Sequence, residues 1–483
     1  METHIIESFT SNAPEYPKDG MIKAVVREAE KRGIPVSIDN NNHLIRFGYG
    51  RNQKWISAKI LKRTVSTASS ILDKIFSNGL PVTIPIVAIT GTNGKTTTAR
   101  MISRILSSQG HIVGTTTTHG IFIGGECIET GDTTGPRSAA VVLNHHKVSA
   151  AVLETARGGI IRSGIAYGKA DVGVFTNLSE DHLGTSGVNT LEELLRVKSI
   201  VIRAVKDNGT SVLNADDLWI MKAMNEAKGK ILLFSMDKEN PWLSEHVKRG
   251  GGAVYVKNNG IFYEYAGNAL KLMNIDEIPA TMNGALKHNI QNGMAAIGAS
   301  LALKVSPDII KDTLSGFSCS PEDNPGRFNV YDMGGFKVIL DYGHNIEGYK
   351  VTIEGIKSMN PGRTVGIIGV PGDRKNEDVL RIGKISGSFF DIVIIKEDYD
   401  LRGRKPLEVA EILKEGAILG GMNPEFITII PKEDAALEFA MQKAQKGDLI
   451  AIFFEKLEPL VELVLKYQNA QKKEQLAKKP VPV

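Results

Sequence analysis

The run Ile84-Pro85-Ile86-Val87-Ala88-Ile89-Thr90-Gly91-Thr92-Asn93-Gly94-Lys95-Thr96-Thr97-Thr98 constrains the fold more than any other stretch of the chain. A β-branched segment stops at a glycine loop, and a lysine followed by hydroxyl residues opens a helix pattern. That order predicts a strand, a tight turn and a helix N-terminus, which is the local geometry of a phosphate cradle. Glycines let backbone N–H groups approach phosphate oxygens, and the helix dipole favours negative charge. Lys95 is placed to reach β/γ-phosphates, Thr96 to hold Mg²⁺, and Thr92, Asn93, Gly94 and Thr97 to line the turn. The strict GxxxxGK[ST] pattern is not met, because Ile89 stands at its first glycine. The sequence carries the tighter TGTNGKT form.

The rest of the chain supplies the sheet that such a loop needs. From Ile84 to about Phe317 short apolar runs alternate with helical patterns. Expected strands are Val87–Thr90, Ile112–Thr116, Ala150–Glu154, Val172–Thr176, Val212–Leu213 and Ile231–Phe234, with helices at Lys95–Ser108, Leu191–Val205 and Asn289–Leu303. This is the pattern of a parallel, doubly wound sheet. Ile121–Ile128, around Gly124-Gly125, reads as a hairpin, and Gly251–Tyr265 as an antiparallel excursion. After a hinge at Pro321–Pro325, five apolar strands follow at Lys337–Asp341, Val365–Val370, Ile392–Ile395, Phe426–Ile430 and Leu449–Phe454. The expected fold is therefore α/β: a central doubly wound parallel-sheet domain, a smaller Rossmann-like α/β domain, and a small α+β amino-terminal module. The expected boundaries are 1–79, 80–320, 321–468 and a disordered tail over 469–483.

A length of 483 residues suits about three domains, and 42% hydrophobic with 23% charged residues is an ordinary globular balance. No apolar run of about 18 residues is present, so no membrane span is expected. Met1-Glu2-Thr3-His4 has neither a basic region nor an apolar core, so a secretory signal is not expected. Cys127 and Cys319 are the two cysteines, too few for a disulfide framework or a thiolate metal cluster. A reducing cytoplasm is the expected compartment. The net charge of +4 owes much to the tail from Gln471 to Val483, whose lysines outnumber its one glutamate four to one, so nucleic acid is not an expected partner. From Arg46 to Arg63 there are six basic residues and no acidic one. A solvated face is the commoner reading of such a stretch, and a site for an acidic ligand the sharper one.

Cleaving a nucleoside triphosphate takes metal ligands and cations around the transferring phosphoryl as well as a cradle. Candidates stand where expected strands end, the place where open α/β sheets put their sites. Glu154 closes Ala150-Ala151-Val152-Leu153, Asp181-His182-Leu183-Gly184 follows the strand ending at Asn177, and Lys198 lies on the next helix. Singly, each has an ordinary structural reading: a solvated strand end, a surface histidine, a solvent-facing lysine. As an ordered set behind the loop they point to phosphoryl chemistry.

With these residues on the page, the chain resembles the Mur ligase superfamily, ATP-dependent ligases that join a carboxylate to an amine. The loop, Glu154, Asp181-His182-Leu183 and Lys198 fall where that family has its nucleotide loop, metal glutamate, metal histidine and carbamylated lysine. His288-Asn289-Ile290-Gln291-Asn292 resembles its HNxxN segment near base and ribose, which implicates Asn289 and Asn292. Asn324-Pro325-Gly326-Arg327 and Asp341-Tyr342-Gly343-His344-Asn345 resemble its interdomain arginine and last-domain motif, which implicates Arg327, Asp341 and His344. The resemblance covers about residues 80–468.

It is closest to the Mur half of the cyanophycin synthetase family, through Gly131-Asp132-Thr133-Thr134-Gly135-Pro136 and Leu153-Glu154-Thr155-Ala156-Arg157-Gly158-Gly159-Ile160. Gly372-Asp373-Arg374, Lys396-Glu397-Asp398 and Asp400-Leu401-Arg402-Gly403-Arg404 add to it. This implies Asp132, Thr133, Thr134, Arg157, Asp373 and Arg374 as substrate residues, though Arg157 and its glycines also suit a structural turn. The amino-terminal residues resemble only the opening and close of that family's ATP-grasp domain, so a remnant module is expected there. The implied activity uses ATP and Mg²⁺, forms ADP through an acyl phosphate, and joins an amino acid, arginine first, to a carboxylate-bearing acceptor such as an aspartate-containing peptide. A separate ATP-grasp ligase is the implied partner for polymer extension, and a homo-oligomer is compatible with all of this. Ligases for a peptidoglycan precursor or a polyglutamate chain, and a non-catalytic nucleotide-binding subunit, are the alternatives.

Overall fold

A computed structural model describes residues 20–39, 43–77, 80–180, 183–184 and 186–477. The chain forms two compact units. One runs to Glu277 and takes in Asn289–Gly316; the other holds Ile278–His288 and everything from Phe317.

The first unit is built on an eleven-stranded sheet. Its centre is Ile86–Thr90, buried along its whole length, because parallel strands covered on both faces need apolar residues at every position. Ala150–Glu154 and Val113–Thr117 lie parallel on one side, and Ala170–Phe175, Val205–Asn214, Lys230–Ser235 and Gly252–Lys257 on the other. Antiparallel pairs finish each edge: Gly120–Ile123 with Glu126–Thr130, and Gly260–Tyr265 with Asn268–Asn274. The expected hairpin and the expected antiparallel excursion are both present. The expected helix over Leu191–Val205 is cut short. It runs Leu191–Lys198, passes through Ser199 into a second turn Ile200–Arg203, and Val205 already belongs to the next strand.

The amino-terminal module packs as part of this unit instead of standing apart. Val36–Asp39, Leu44–Phe47 and Lys54–Ser57 form an antiparallel sheet. Ile45 and Phe47 point to the helices Gly20–Lys31 and Ala68–Ile75, where Val25, Val26, Ile71 and Leu72 complete a small core. Arg51 N donates to Val148 O at 2.8 Å, Asn52 Nδ2 to Thr83 O at 2.8 Å and Gln53 Nε2 to Asn144 O at 3.0 Å, which fastens the module to the main sheet.

The second unit has six strands in the order Asn329–Asp332, Lys337–Asp341, Asp448–Phe453, Arg363–Ile368, Ile392–Ile395, Ile427–Ile429. The last five are parallel and match the expected set; the first is antiparallel and was not anticipated. Ile278–His288 belongs here through Leu286, which packs in the same core as Phe328 and Ile353. A boundary drawn at the Pro321–Pro325 hinge misses such an interleaved piece, because composition does not register where a segment packs. The final helix, Leu457–Ala477, continues past Gln468, where a disordered tail was expected. Among the described residues no helix is long and apolar enough to cross a membrane.

Two helices of this unit, Asn376–Phe389 and Glu408–Leu419, touch backbone to backbone. A Cβ on Gly383 would overlap Leu413 O, and one on Gly387 would overlap Ala417 O. Gly387→Ala must push the helices apart and should cost about 1–3 kcal/mol as an overpacked contact. Urea unfolding measures it, and an unchanged midpoint would refute the close-contact account.

Candidate active site

The loop between Ile86–Thr90 and the helix Lys95–Ser108 is shaped by its own residues and by the strand end beside it. Gly94 caps the helix in the left-handed region at φ 82°. A Cβ there would be strained by the dihedral and would also overlap Asn292 Oδ1. Asn177 then grips Asn93 from both sides: Asn93 N donates to Asn177 Oδ1 at 2.8 Å, and Asn177 Nδ2 donates to Asn93 O at 3.0 Å. Thr176 Oγ1 donates to the same carbonyl at 2.7 Å. Thr92 N donates to Asn177 O at 2.9 Å, and Ser179 N donates to Thr92 Oγ1 at 3.0 Å. With its carbonyls engaged in this way, the loop keeps one conformation.

The chemistry-bearing side chains gather at that loop. Lys95 Nζ folds back to donate to Thr92 O at 2.9 Å. Thr96 Oγ1 donates to Glu154 Oε2 at 2.8 Å and lies 3.2 Å from Thr118 Oγ1. Glu154 ends its strand beside the loop because Ile89 and Glu154 are register partners. Lys198 is 4% exposed, and its Nζ donates to Gly91 O at 2.7 Å. Its helix starts at a capping box, in which Thr190 Oγ1 accepts from Glu193 N and Glu193 Oε2 from Thr190 N, both at 3.2 Å. Asp181 and His182 lie outside the described residues.

Asn289 and Asn292 share a face of the helix Lys287–Ala302 and are both buried. Asn292 Nδ2 donates to Asn289 Oδ1 at 3.1 Å, and Thr98 Oγ1 donates to Asn292 Oδ1 at 3.4 Å. Asn292 thus backs the loop at Gly94. Thr97 is buried in the first turn of the loop helix. Thr133 Oγ1 donates to Thr117 O at 2.7 Å and accepts from Thr117 N, so its hydroxyl is committed to the sheet. Thr134 N and Oγ1 both donate to Asp132 Oδ1, and Ala156 N donates to Thr134 O. The Asp132–Thr134 turn therefore stands beside the Glu154–Arg157 segment, with Arg157 buried at the start of a short helix.

The second unit gathers its own set at the carboxyl ends of its strands. Asp341 accepts from Phe328 N and Gly343 N at 2.8 Å and from Thr352 Oγ1 at 3.0 Å. Burial raises the pKa of its carboxyl, against the opposing charge of Arg327. The Arg327 guanidinium lies 4.7 Å from the Tyr342 ring centre. His344 Nδ1 is 3.0 Å from Tyr342 O; a carbonyl only accepts, so Nδ1 carries the proton. Asp373 accepts from Arg402 Nη1 at 2.8 Å, and Arg404 donates to Gly372 O and Arg374 O at 2.9 and 2.7 Å. Arg374 itself is buried. Behind them Lys396, 1% exposed, pairs with Asp398 at 2.6 Å and Glu433 at 2.8 Å. Burial lowers the Lys396 pKa, but the two carboxylates outweigh it and the net shift is upward.

Several of these residues escaped the sequence reading. Thr176, Asn177 and Ser179 stand at and just beyond the end of an expected strand, and that position was a usable signal. Asn214 and Asp217 brace the same segment: Asn214 Nδ2 donates to Thr176 O at 2.8 Å and Asp217 Oδ2 accepts from Leu178 N at 2.6 Å. Glu433 offered no signal, being one acidic residue among many at a helix start.

Residues 89–300 match the family described as the Mur ligase middle domain, and residues 326–453 the one described as the Mur ligase, glutamate ligase domain. The chain is 40% identical over 403 residues to cyanophycin synthetase of Geminocystis herdmanii, a match taking in 83% of this chain and 46% of that protein. It spans about half the length of the cyanophycin synthetases it matches. It is 27% identical over 397 residues to the UDP-N-acetylmuramoyl-L-alanyl-D-glutamate–2,6-diaminopimelate ligase of Caldanaerobacter subterraneus, covering 80% of this chain and 77% of that one. Among solved structures, E. coli FolC in complex with ADP superposes with a TM-score of 0.56 at 17% identity, over 80% of this chain and 90% of that chain. At such identity the likeness speaks for the fold.

Two outcomes follow from this geometry. Lys396→Met leaves two buried carboxylates without their cation and should cost about 3–5 kcal/mol in denaturant unfolding; a cost under about 1 kcal/mol would show that the triad is not desolvated. Gly94→Ala should abolish binding of a fluorescent ATP analogue with little change in overall fold by circular dichroism, and retained affinity would show that the loop tolerates a side chain there.

Proposed function

Because the chain belongs to the Mur ligase superfamily, we propose that it is an ATP-dependent, ADP-forming ligase joining an amino acid, through its amine, to a carboxylate. The observation that carries this reading is the contact of the Thr96 hydroxyl with the Glu154 carboxylate at 2.8 Å, set at the junction of a glycine loop and a helix. Both are hard oxygen donors of the kind Mg²⁺ takes, so the residues fit that ion. Thr96 and Glu154 would hold it, with His182 and a carbamylated Lys198 completing or shaping a second site. Bound there, Mg²⁺ supplies positive charge against the phosphate oxygens.

The reaction then proceeds in two balanced steps. An oxygen of the acceptor carboxylate attacks the γ-phosphorus, the bond to the β,γ-bridging oxygen breaks, and ADP leaves. The amine nitrogen attacks the acyl carbon of the resulting acyl phosphate, the carbon–oxygen bond to phosphate breaks, and the nitrogen loses a proton. Lys95 leaves Thr92 O to reach the phosphates, where its charge is stronger in the transition state than in the ground state. Loop N–H groups from Gly94 to Thr96 would cradle the phosphates, since those of Thr92 and Asn93 are taken by Asn177, and Asn289 and Asn292 would serve the base and ribose. Lys198 keeps an N–H for Gly91 O after carbamylation, so the same contact holds the modified side chain in place. Asp132, Thr134 and Arg157 would orient the acceptor, with Thr133 bracing them. By the family resemblance, Arg327, Asp341 and His344 would be nucleotide-binding residues, and Asp373 and Arg374 residues for the incoming amino acid. By likeness to cyanophycin synthetase, the pair we favour is arginine and the side-chain carboxylate of an aspartate residue, joined in the cytoplasm.

With ATP, Mg²⁺, arginine and a short aspartate peptide, the protein should release ADP and phosphate, and Lys95→Ala should slow turnover by about 10³ or more. AMP as product, or full activity in that variant, would sink the reading. Lys198→Ala should lose activity and regain part of it with added short carboxylates, followed as ADP release; a normal rate without them would remove the carbamate from the scheme.

A further inference from the structure

One cation of the amino-terminal module has no use in the chemistry above. Arg46, in the central strand Leu44–Phe47, is 6% exposed. Its cross-strand neighbours are Ser37 and Trp55. Its guanidinium carbon lies 5.8 Å from the Tyr49 ring centre and 5.9 Å from that of Trp55. Among the described residues no carboxylate pairs with it, and its Nε has no hydrogen-bond partner. Burial lowers its pKa, the penalty expected of a desolvated cation. Two ring contacts return only part of what desolvating a guanidinium costs. Its strand neighbours Ile45 and Phe47 face the module's core, so Arg46 stands on the other face of the small sheet.

We propose that Arg46, framed by Tyr49 and Trp55, is the anchor for a carboxylate side chain of an acidic peptide, the acceptor of the ligation. The peptide part of this assignment rests on the ligase reading above. The carboxylate part rests on the site itself. A single guanidinium offers paired N–H donors to a planar monoanion and balances its charge. A phosphate group beside one buried cation would keep uncompensated charge out of water. Tyr49 is held in place by its hydroxyl, which donates to Ala166 O at 3.3 Å. Trp55 is 49% exposed and forms the open wall. Five more basic residues follow the anchor between Arg51 and Arg63, with no acidic one among them, and add a positive field that attracts an acidic chain.

The test is calorimetric titration of the full chain with hexa-aspartate, without ATP. Wild type should bind, and Arg46→Gln should weaken binding by about tenfold or more, with Arg46→Lys between them because an ammonium cannot pair bidentately. ATP affinity and melting temperature report whether each variant is folded. Trp55→Leu, at a half-exposed position, should also weaken binding; it decides the matter if the Arg46 variants fail to fold. Unchanged affinity in folded Arg46→Gln, or in Trp55→Leu when the Arg46 variants do not fold, overturns the proposal. So does tighter binding of tripolyphosphate or a DNA oligonucleotide than of hexa-aspartate, where that binding is lost in Arg46→Gln. ADP formation separates the two readings. Turnover without Arg46-dependent peptide binding overturns this inference alone, and Arg46-dependent binding without turnover overturns the ligase reading while leaving the carboxylate anchor standing.

Discussion

The paired hydrogen bonds between Asn93 and Asn177 hold the glycine loop to the strand end beside it, and the contacts that Lys95, Thr96 and Lys198 make at the loop depend on its being held there. A glycine loop is entropically free by nature, so something outside it must choose its conformation. Here the segment Thr176–Ser179 does so, by engaging the carbonyl of Asn93 and both the amide and hydroxyl of Thr92. The same segment leads on to Asp181-His182, and Asn214 and Asp217 brace it from the next strand. The loop, Glu154 and Lys198 are thus tied together across adjacent parallel strands, at the sheet edge where open α/β folds place ligands.

The second unit solves a comparable problem with charge. Its loops after Arg363–Ile368 and Ile392–Ile395 carry Gly372-Asp373-Arg374 and Asp400-Leu401-Arg402-Gly403-Arg404, and arginine side chains join them. Arg404 bonds two carbonyls of one loop and, through Nη1, the Glu408 carboxylate at 2.6 Å. Only a planar fork of donors reaches three acceptors in fixed directions. Lys396 fixes the adjoining loop by drawing Asp398 and Glu433 into the interior. A buried triad of this kind is costly to desolvate and does not by itself argue for stability. It does fix where the flanking segments go.

Much of this was legible in the residues. The loop, the helix after it, the parallel strands and the order of Glu154, Lys198 and Asp341 all follow from local patterns. Apolar runs that end at glycine or polar residues announce buried strands whatever they pack against. What failed to show were features without a local signature. Lys54–Ser57 is a strand with no buried residue, so its hydrophobic pattern is weak. Asn329–Asp332 is four residues long and pairs antiparallel at an edge, too short for its alternation to stand out. The piece Ile278–His288 joins the second unit through Leu286, a choice made by packing.

The sequence by itself determined the class of fold, the phosphate-type loop and the residue types available for chemistry, because propensity, periodicity and spacing are local properties. Tertiary structure alone decided which of those residues meet. Asn177 faces Asn93 across 84 positions of chain, Lys198 reaches Gly91 across 107, and Thr96 finds Glu154 across 58. It also left Arg46 buried with no carboxylate paired to it among the described residues, a fact that charge counting hid, since counting does not distinguish a solvated cation from a desolvated one. The physical reason is the same in each case. Hydrogen-bond geometry and desolvation depend on distances of a few ångströms, and only the packed chain sets those.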